Sequence, residues 1–116
     1  MPKLTNKTQP GKRPPISNHL SSPFILCFKY QLHRGYTFDT LTHIHLKEFQ
    51  RFLNQISAMT FQDVEKNYRR SSDSSDTFEG KQVIHYGFGK RFRIHGVIEE
   101  GQFVVLRIDP DHNYHD

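Results

Sequence analysis

The chain has 116 residues, a length suited to one domain with one modest core. Four of its 16 basic residues, Lys3, Lys7, Lys12 and Arg13, lie in residues 1–23, which hold no acid, so residues 24–116 carry 12 basic against 12 acidic residues and the formal charge of +4 belongs to the N-terminal stretch. The single cysteine, Cys27, excludes an intrachain disulfide and a thiolate metal site, and no apolar run approaches the roughly 18 residues a membrane span needs.

Residues 1–22 hold Pro10, Pro14 and Pro15 among Lys, Thr, Ser and Asn, and read as a flexible basic tail, followed by a single α+β domain over 23–116. From Phe24 the residues Phe24, Leu26, Phe28, Tyr30 and Leu32 alternate with other positions, as one buried face of a strand does. A connection around Gly35 leads to a helix whose apolar stripe is Ile44, Phe49, Phe52, Leu53 and Ile56, capped by Thr42 or Asp39. A second helix begins at Thr60, where Thr60 and Asp63 stand at capping-box spacing, and turns Phe61, Val64 and Tyr68 one way. Residues 69–80, rich in Ser, Thr and acids, read as a mobile loop. Residues 82–88 then form a strand, with Gly87 and Gly89 permitting a bend. The expected architecture is α+β: an antiparallel sheet with both helices on one face, in the order strand, helix, helix, strand, strand, strand.

The last two strands, Lys90–Ile98 and Gln102–Asp109, form a hairpin around Glu99-Glu100-Gly101. A two-residue turn at Glu100-Gly101 would pair Ile94 with Arg107 and mix polar and apolar side chains on both faces. A three-residue turn with Gly101 in the left-handed region pairs Ile94 with Leu106, Phe92 with Ile108 and Gly96 with Val104. It gives one apolar face of Phe92, Ile94, Ile98, Val104, Leu106 and Ile108, and a buried face selects register. The other face then sets Arg91 against Asp109, Arg93 against Arg107 and His95 against Val105. Like charges directly opposite each other are unfavourable in a sheet, and a bound anion explains such an arrangement.

In this order and length the chain resembles the RelE/ParE-like toxin superfamily. The local likeness runs from Lys90-Arg91-Phe92-Arg93-Ile94-His95-Gly96 through Gln102–Ile108 to His112-Asn113-Tyr114. The segments Arg93-Ile94-His95-Gly96 and Asp109-Pro110-Asp111-His112 also resemble a set of small bacterial and mobile-element proteins to which no activity is attached. The first resemblance implies a toxin of a toxin–antitoxin pair, acting as a metal-independent endoribonuclease that cleaves mRNA by attack of the ribose 2′-hydroxyl; a cytoplasmic location is expected separately, from the single cysteine and the lack of an apolar signal core. It implies Arg93 and Arg107 as phosphate binders and His112 or Tyr114 as the terminal catalytic group. It also implies RNA as partner, on or off the ribosome, and an antitoxin protein as inhibitor.

The residues themselves point to related chemistry. Arginine presents a rigid fork matched to phosphate oxygens, and a histidine near neutral pKa can move the protons of a ribose cleavage. Arg93, His95, Arg107 and His112 are therefore candidates, and with Tyr114, which the resemblance implies, they make up the candidate catalytic set, with Lys90, Arg91 and His85 as nucleic-acid-binding neighbours. No recognised ligand spacing, phosphate loop, dinucleotide fingerprint or nucleophile elbow is present, so neither metal nor cofactor is expected. Phe103, placed beside the polar face, is a candidate for stacking a base. The rival reading is a non-catalytic module that binds nucleic acid or a protein through the same Arg/His face.

Overall fold

The computed structural model describes residues 17–114. Two caps define its main helices. In α2 (His43–Ile56) the Thr42 hydroxyl accepts from the His45 amide at 3.2 Å, and His45 Nδ1 accepts from the Thr42 amide at 3.1 Å. An imidazole thus does the work usually given to Glu. In α3 (Phe61–Tyr68) Thr60 and Asp63 make the expected reciprocal pair, at 3.2 and 3.0 Å. Phe49, Phe52 and Ile56 of α2 and Phe61 and Val64 of α3 are buried, while Ile44 is 69 % exposed. Ile44 sits about 140° around the helix from Phe49 at ~100° per residue, outside the buried stripe.

The tail expected over 1–22 falls outside the described residues up to position 16. Beyond it, α1 (Ser17–Leu20) places Leu20 against the core and sets the His19 ring 5.1 Å from Phe61.

The main sheet has the order β1-β7-β6-β5-β2, with β1 (Leu26–Cys27), β2 (Arg69–Arg70), β5 (Ile84–Phe88), β6 (Phe92–Glu99) and β7 (Gln102–Asp109). A separate two-stranded ribbon joins β3 (Thr77–Phe78) to β4 (Lys81–Gln82). The protein is α+β, as expected, but the sheet is mixed. β1 runs parallel to β7, Leu26 opposite Phe103, because both helices intervene before the chain re-enters the sheet at its far edge. The alternation from Phe24 to Leu32 yields only two paired residues. Phe24 and Leu26 meet the helix-side core, whereas Cys27 and Tyr30 join a second cluster on the opposite face.

The hairpin register differs from both expectations. Glu100 and Gly101 have φ of 52° and 78°, a two-residue turn with both central residues left-handed, and Glu99 pairs with Gln102. The pairing then shifts between His95 and Gly96: Gly96 opposes Val105, but His95 opposes Arg107. Leu106 is the extra residue of a β-bulge. Its carbonyl is taken up by the His33 amide at 2.9 Å, outside the ladder. The bulge changes the parity of β7 halfway along. Phe103, Val105 and Ile108 face the helices with Phe92 and Ile94, while Val104 and Leu106 face the other way with Val83 and Val97. A uniform strand could not place both Phe103 and Ile108 on one side, since side chains alternate with period two. Phe103 is consequently core, fully buried against Phe24 and Tyr86, and not a surface stacking platform.

The face opposite the helices is not open. Val83, Val97, Val104 and Leu106 form a small second core there, covered by Cys27, Tyr30 and Phe78. The segment expected to be a mobile loop carries Asp76, only 8 % exposed, into contact with this face.

Candidate functional site

On that second face, four polar side chains stand in one register row across four strands: Arg70 opposite His85, His85 opposite His95, His95 opposite Arg107. The two imidazoles stack, with centroids 3.7 Å apart and planes 12° from parallel. Arg107 donates from Nε to His95 Nδ1 at 2.8 Å and from a terminal nitrogen to Asp76 Oδ2 at 2.6 Å. His85 Nε2 lies 2.8 Å from the same Asp76 oxygen. Because His95 Nδ1 accepts from a guanidinium, the ring is neutral with its proton on Nε2. Burial above all, then His85 and Arg107, drives the His95 pKa down to about 2. Its Nε2 is buried with no hydrogen-bond partner among the described residues.

The C-terminal turn closes over this network. Asp109 accepts from the amides of Asn113 at 2.8 Å and Tyr114 at 2.9 Å. That folds the chain back after Pro110 and lays the Tyr114 ring 3.7 Å from the Arg107 guanidinium carbon. Asp109 thus has a local reason to end β7 and precede Pro110. A cavity of about 370 Å³ adjoins the network, lined among others by Gln31, His33, Asp76, Phe78, Arg107 and Tyr114.

The candidate residues fall into two groups. His85, His95, Arg107 and Tyr114 come together in the buried network. Arg93 does not: it opposes Asp109, not Arg107, and Arg91 lies in the β5–β6 turn instead of opposite Asp109. The like-charge pair expected from Arg93 and Arg107 is therefore absent, and Arg107 is neutralised by Asp76. Lys90 and Arg91 are exposed in that turn, and His112, exposed, has a left-handed φ of 57°.

A different like-charge pair is present. Arg93 also opposes Gly87, and a Cβ built on Gly87 would meet Arg93 Nη1 at 2.6 Å and Arg70 Cγ at 2.9 Å. The missing side chain of Gly87 thus makes room for two arginines. Arg70 and Arg93 hydrogen-bond backbone carbonyls, those of Arg69 and Phe92, each at 3.2 Å, and neither forms an ion pair with a described carboxylate. Burial first, then Arg70, pulls the Arg93 pKa below its ordinary value, with Asp109 opposing. Arg70 also shares a groove of about 310 Å³ with Arg51, Glu48 and residues 87–89.

Two residues of these groups escaped the sequence reading. Asp76 lies in a Ser-rich stretch where Asp73 accepts from the Ser75 amide at 2.9 Å, a local turn that does not by itself foretell a buried carboxylate. Arg70 lies two residues past the end of α3 and looks like a solvated cation near a helix C-terminus. Among the described residues no three His, Cys, Asp or Glu side chains are grouped to hold a metal ion, and no helix is long and apolar enough to cross a membrane. No family model, no curated protein and no solved structure matches the chain.

Proposed function

We propose that the protein is a non-catalytic RNA-binding module in the cytoplasm, holding the phosphate backbone of a single strand along the β2–β5–β6 edge. The observation that carries this reading is the Arg70–Arg93 pair over Gly87: the Arg93 guanidinium and the Arg70 stem share the space of the missing side chain, the Arg70 charge disfavours that of Arg93, and neither arginine forms an ion pair with a described carboxylate. Such an arrangement is unfavourable alone and favourable around an anion. Exposed Arg51, Lys90 and Arg91 extend the positive charge along the same edge, interrupted by Glu48 beside Gly89, and an extended stripe suits a polyanion better than a single phosphate.

Binding is favoured over cleavage for a physical reason. Metal-independent attack by a 2′-hydroxyl needs a titrating group in reach of the phosphate. His95 is buried, neutral and bonded to Arg107, so a toxin-like cleavage would have to use His112 or Tyr114.

The test is fluorescence anisotropy of a labelled single-stranded RNA across a salt series, with product analysis for 2′,3′-cyclic ends and a ribosome-supplemented arm. Wild-type protein is expected to bind without cutting. Arg70→Ala and Arg93→Ala should each weaken binding and lower the salt slope by about one, whereas Lys66→Ala should change little. Binding that is unaffected by the double variant would sink the proposal, and cyclic-ended products lost in His112→Ala would replace it with the nuclease.

A further inference from the structure

The cavity beside the buried network has a use that the arginine edge does not. Asp76 and Arg107 both line it, and they neutralise one another through a 2.6 Å contact. Asp76 Oδ2 is occupied by Arg107 and His85, and Arg107 uses Nε and one terminal nitrogen. That leaves Asp76 Oδ1 and Arg107 Nη1 without a hydrogen bond to any described residue. Neither atom is among the fully buried unpaired side-chain atoms of the described residues, and both residues line the cavity. The pair therefore offers one strong acceptor beside one strong donor. Aromatic rings stand around it: Tyr114 over Arg107, with Phe78 and His33 also lining the space. Gln31, exposed at the cavity, adds an amide.

We infer that this cavity is a nucleobase subsite for a ring carrying a lactam edge, an N–H next to a C=O, as in guanine and uracil. The inference rests on the RNA reading and deepens it. A neutral ion pair disfavours a charged ligand of either sign, since an anion would meet Asp76 and a cation Arg107. It complements a neutral edge with a donor next to an acceptor. Adenine and cytosine also place a donor beside an acceptor, but as an amino group next to a ring nitrogen. The lactam N–H is more acidic and its carbonyl oxygen a better acceptor, and ionised partners reward both properties. The cavity, about 370 Å³, lies at the small end of ligand pockets, which run roughly 300–1,000 Å³, and suits one planar base with its ribose. From Arg107 to Arg70 the row crosses three strand spacings, about 14 Å at ~4.8 Å each. One short strand of RNA spans both.

Nucleosides lack phosphate, so they report on the cavity alone. Titration of the full chain with guanosine, uridine, adenosine and cytidine, followed by amide chemical shifts, should show the first two binding at least tenfold more tightly than the last two. Shifts should centre on residues 75–78, Arg107 and Tyr114. Gln31→Trp, an exposed substitution that fills the cavity, should abolish nucleoside binding without altering the melting temperature. Asp76→Asn, if it folds, should lose the preference for the lactam edge; if it does not, Gln31→Trp still decides. Short U-rich and A-rich RNA strands then separate a free nucleoside site from a base subsite: preference for the U-rich strand, removed by Gln31→Trp, supports the latter, and equal binding of the two strands overturns it. Equal affinity for all four nucleosides, no binding of any, or binding that survives Gln31→Trp overturns the inference. Failure of the phosphate-edge reading looks different: RNA binding would ignore Arg70→Ala and Arg93→Ala while the nucleoside result stood.

Discussion

Replacing Arg107 with Ala tests whether this side chain holds the fold together or waits for a ligand. Arg107 is 5 % exposed; its guanidinium donates to Asp76 at 2.6 Å and to His95 at 2.8 Å, and lies under Tyr114. Truncation leaves the Asp76 carboxylate buried with only His85 as partner. Removing one member of a buried ion pair costs about 3–5 kcal/mol, and the loss of a donor to His95 Nδ1 adds to it at roughly 1–3 kcal/mol, not fully additively. Against a total stability of about 5–15 kcal/mol, that is a third or more. Urea denaturation followed by far-ultraviolet circular dichroism at pH 7 should show the loss, and the melting temperature should fall by at least ~12 °C, at about 4 °C per kcal/mol for a domain of this size. The double variant Asp76→Asn with Arg107→Met should be less destabilised than the sum of the single changes by at least about 2 kcal/mol, because the second change removes the charge stranded by the first. An Arg107→Ala protein within about 0.5 kcal/mol of wild type would refute the account, since surface substitutions behave that way.

Gly96→Ala should destabilise by at least about 2 kcal/mol in the same assay, because the new methyl would run into the Val104 carbonyl and the Phe103 ring at the bulge, neither of which is free to move; a neutral result would place the bulge elsewhere. For pH, His95 has a folded-state pKa pushed far below the ordinary 6.5, mainly by burial, so the unfolded chain takes up its proton first. Its contribution is complete above about pH 6.5 and is lost as pH falls, at about 1.4 kcal/mol per unit; urea midpoints from pH 7.5 to 5 should decline, and His95→Asn should flatten the curve. Identical slopes in the two proteins would contradict a buried neutral imidazole. Gly87→Ala should keep the fold yet weaken RNA binding severalfold in the anisotropy assay, since its methyl occupies the space shared by Arg70 and Arg93.

Local chemistry was legible in the sequence wherever the signal is local. The Thr42 and Thr60 caps, the Phe49–Phe52–Ile56 stripe, the two helices and the last hairpin follow from spacing within a few residues, and those spacings suffice for an α+β assignment. The hairpin register was not legible, because the two regular alternatives each keep one parity throughout and the chain uses neither. A two-residue turn with a bulge at Leu106 buries Phe103 and Ile108 together, and that solution is decided by Gly96 lying against Phe103 and by the His33 amide capturing the Leu106 carbonyl. The same holds for the site. His85, His95, Arg107 and Tyr114 were identifiable as polar residues near the hairpin, but their roles depend on Asp76, 31 residues before Arg107 in the chain, and on Arg70 at the far edge of the sheet. A carboxylate in a serine-rich loop and an arginine just past a helix look like solvated charges until the loop crosses the sheet face and β2 joins β5. Which cations are neutralised and which are left to a ligand is set by long-range pairing, and only the tertiary structure contains it.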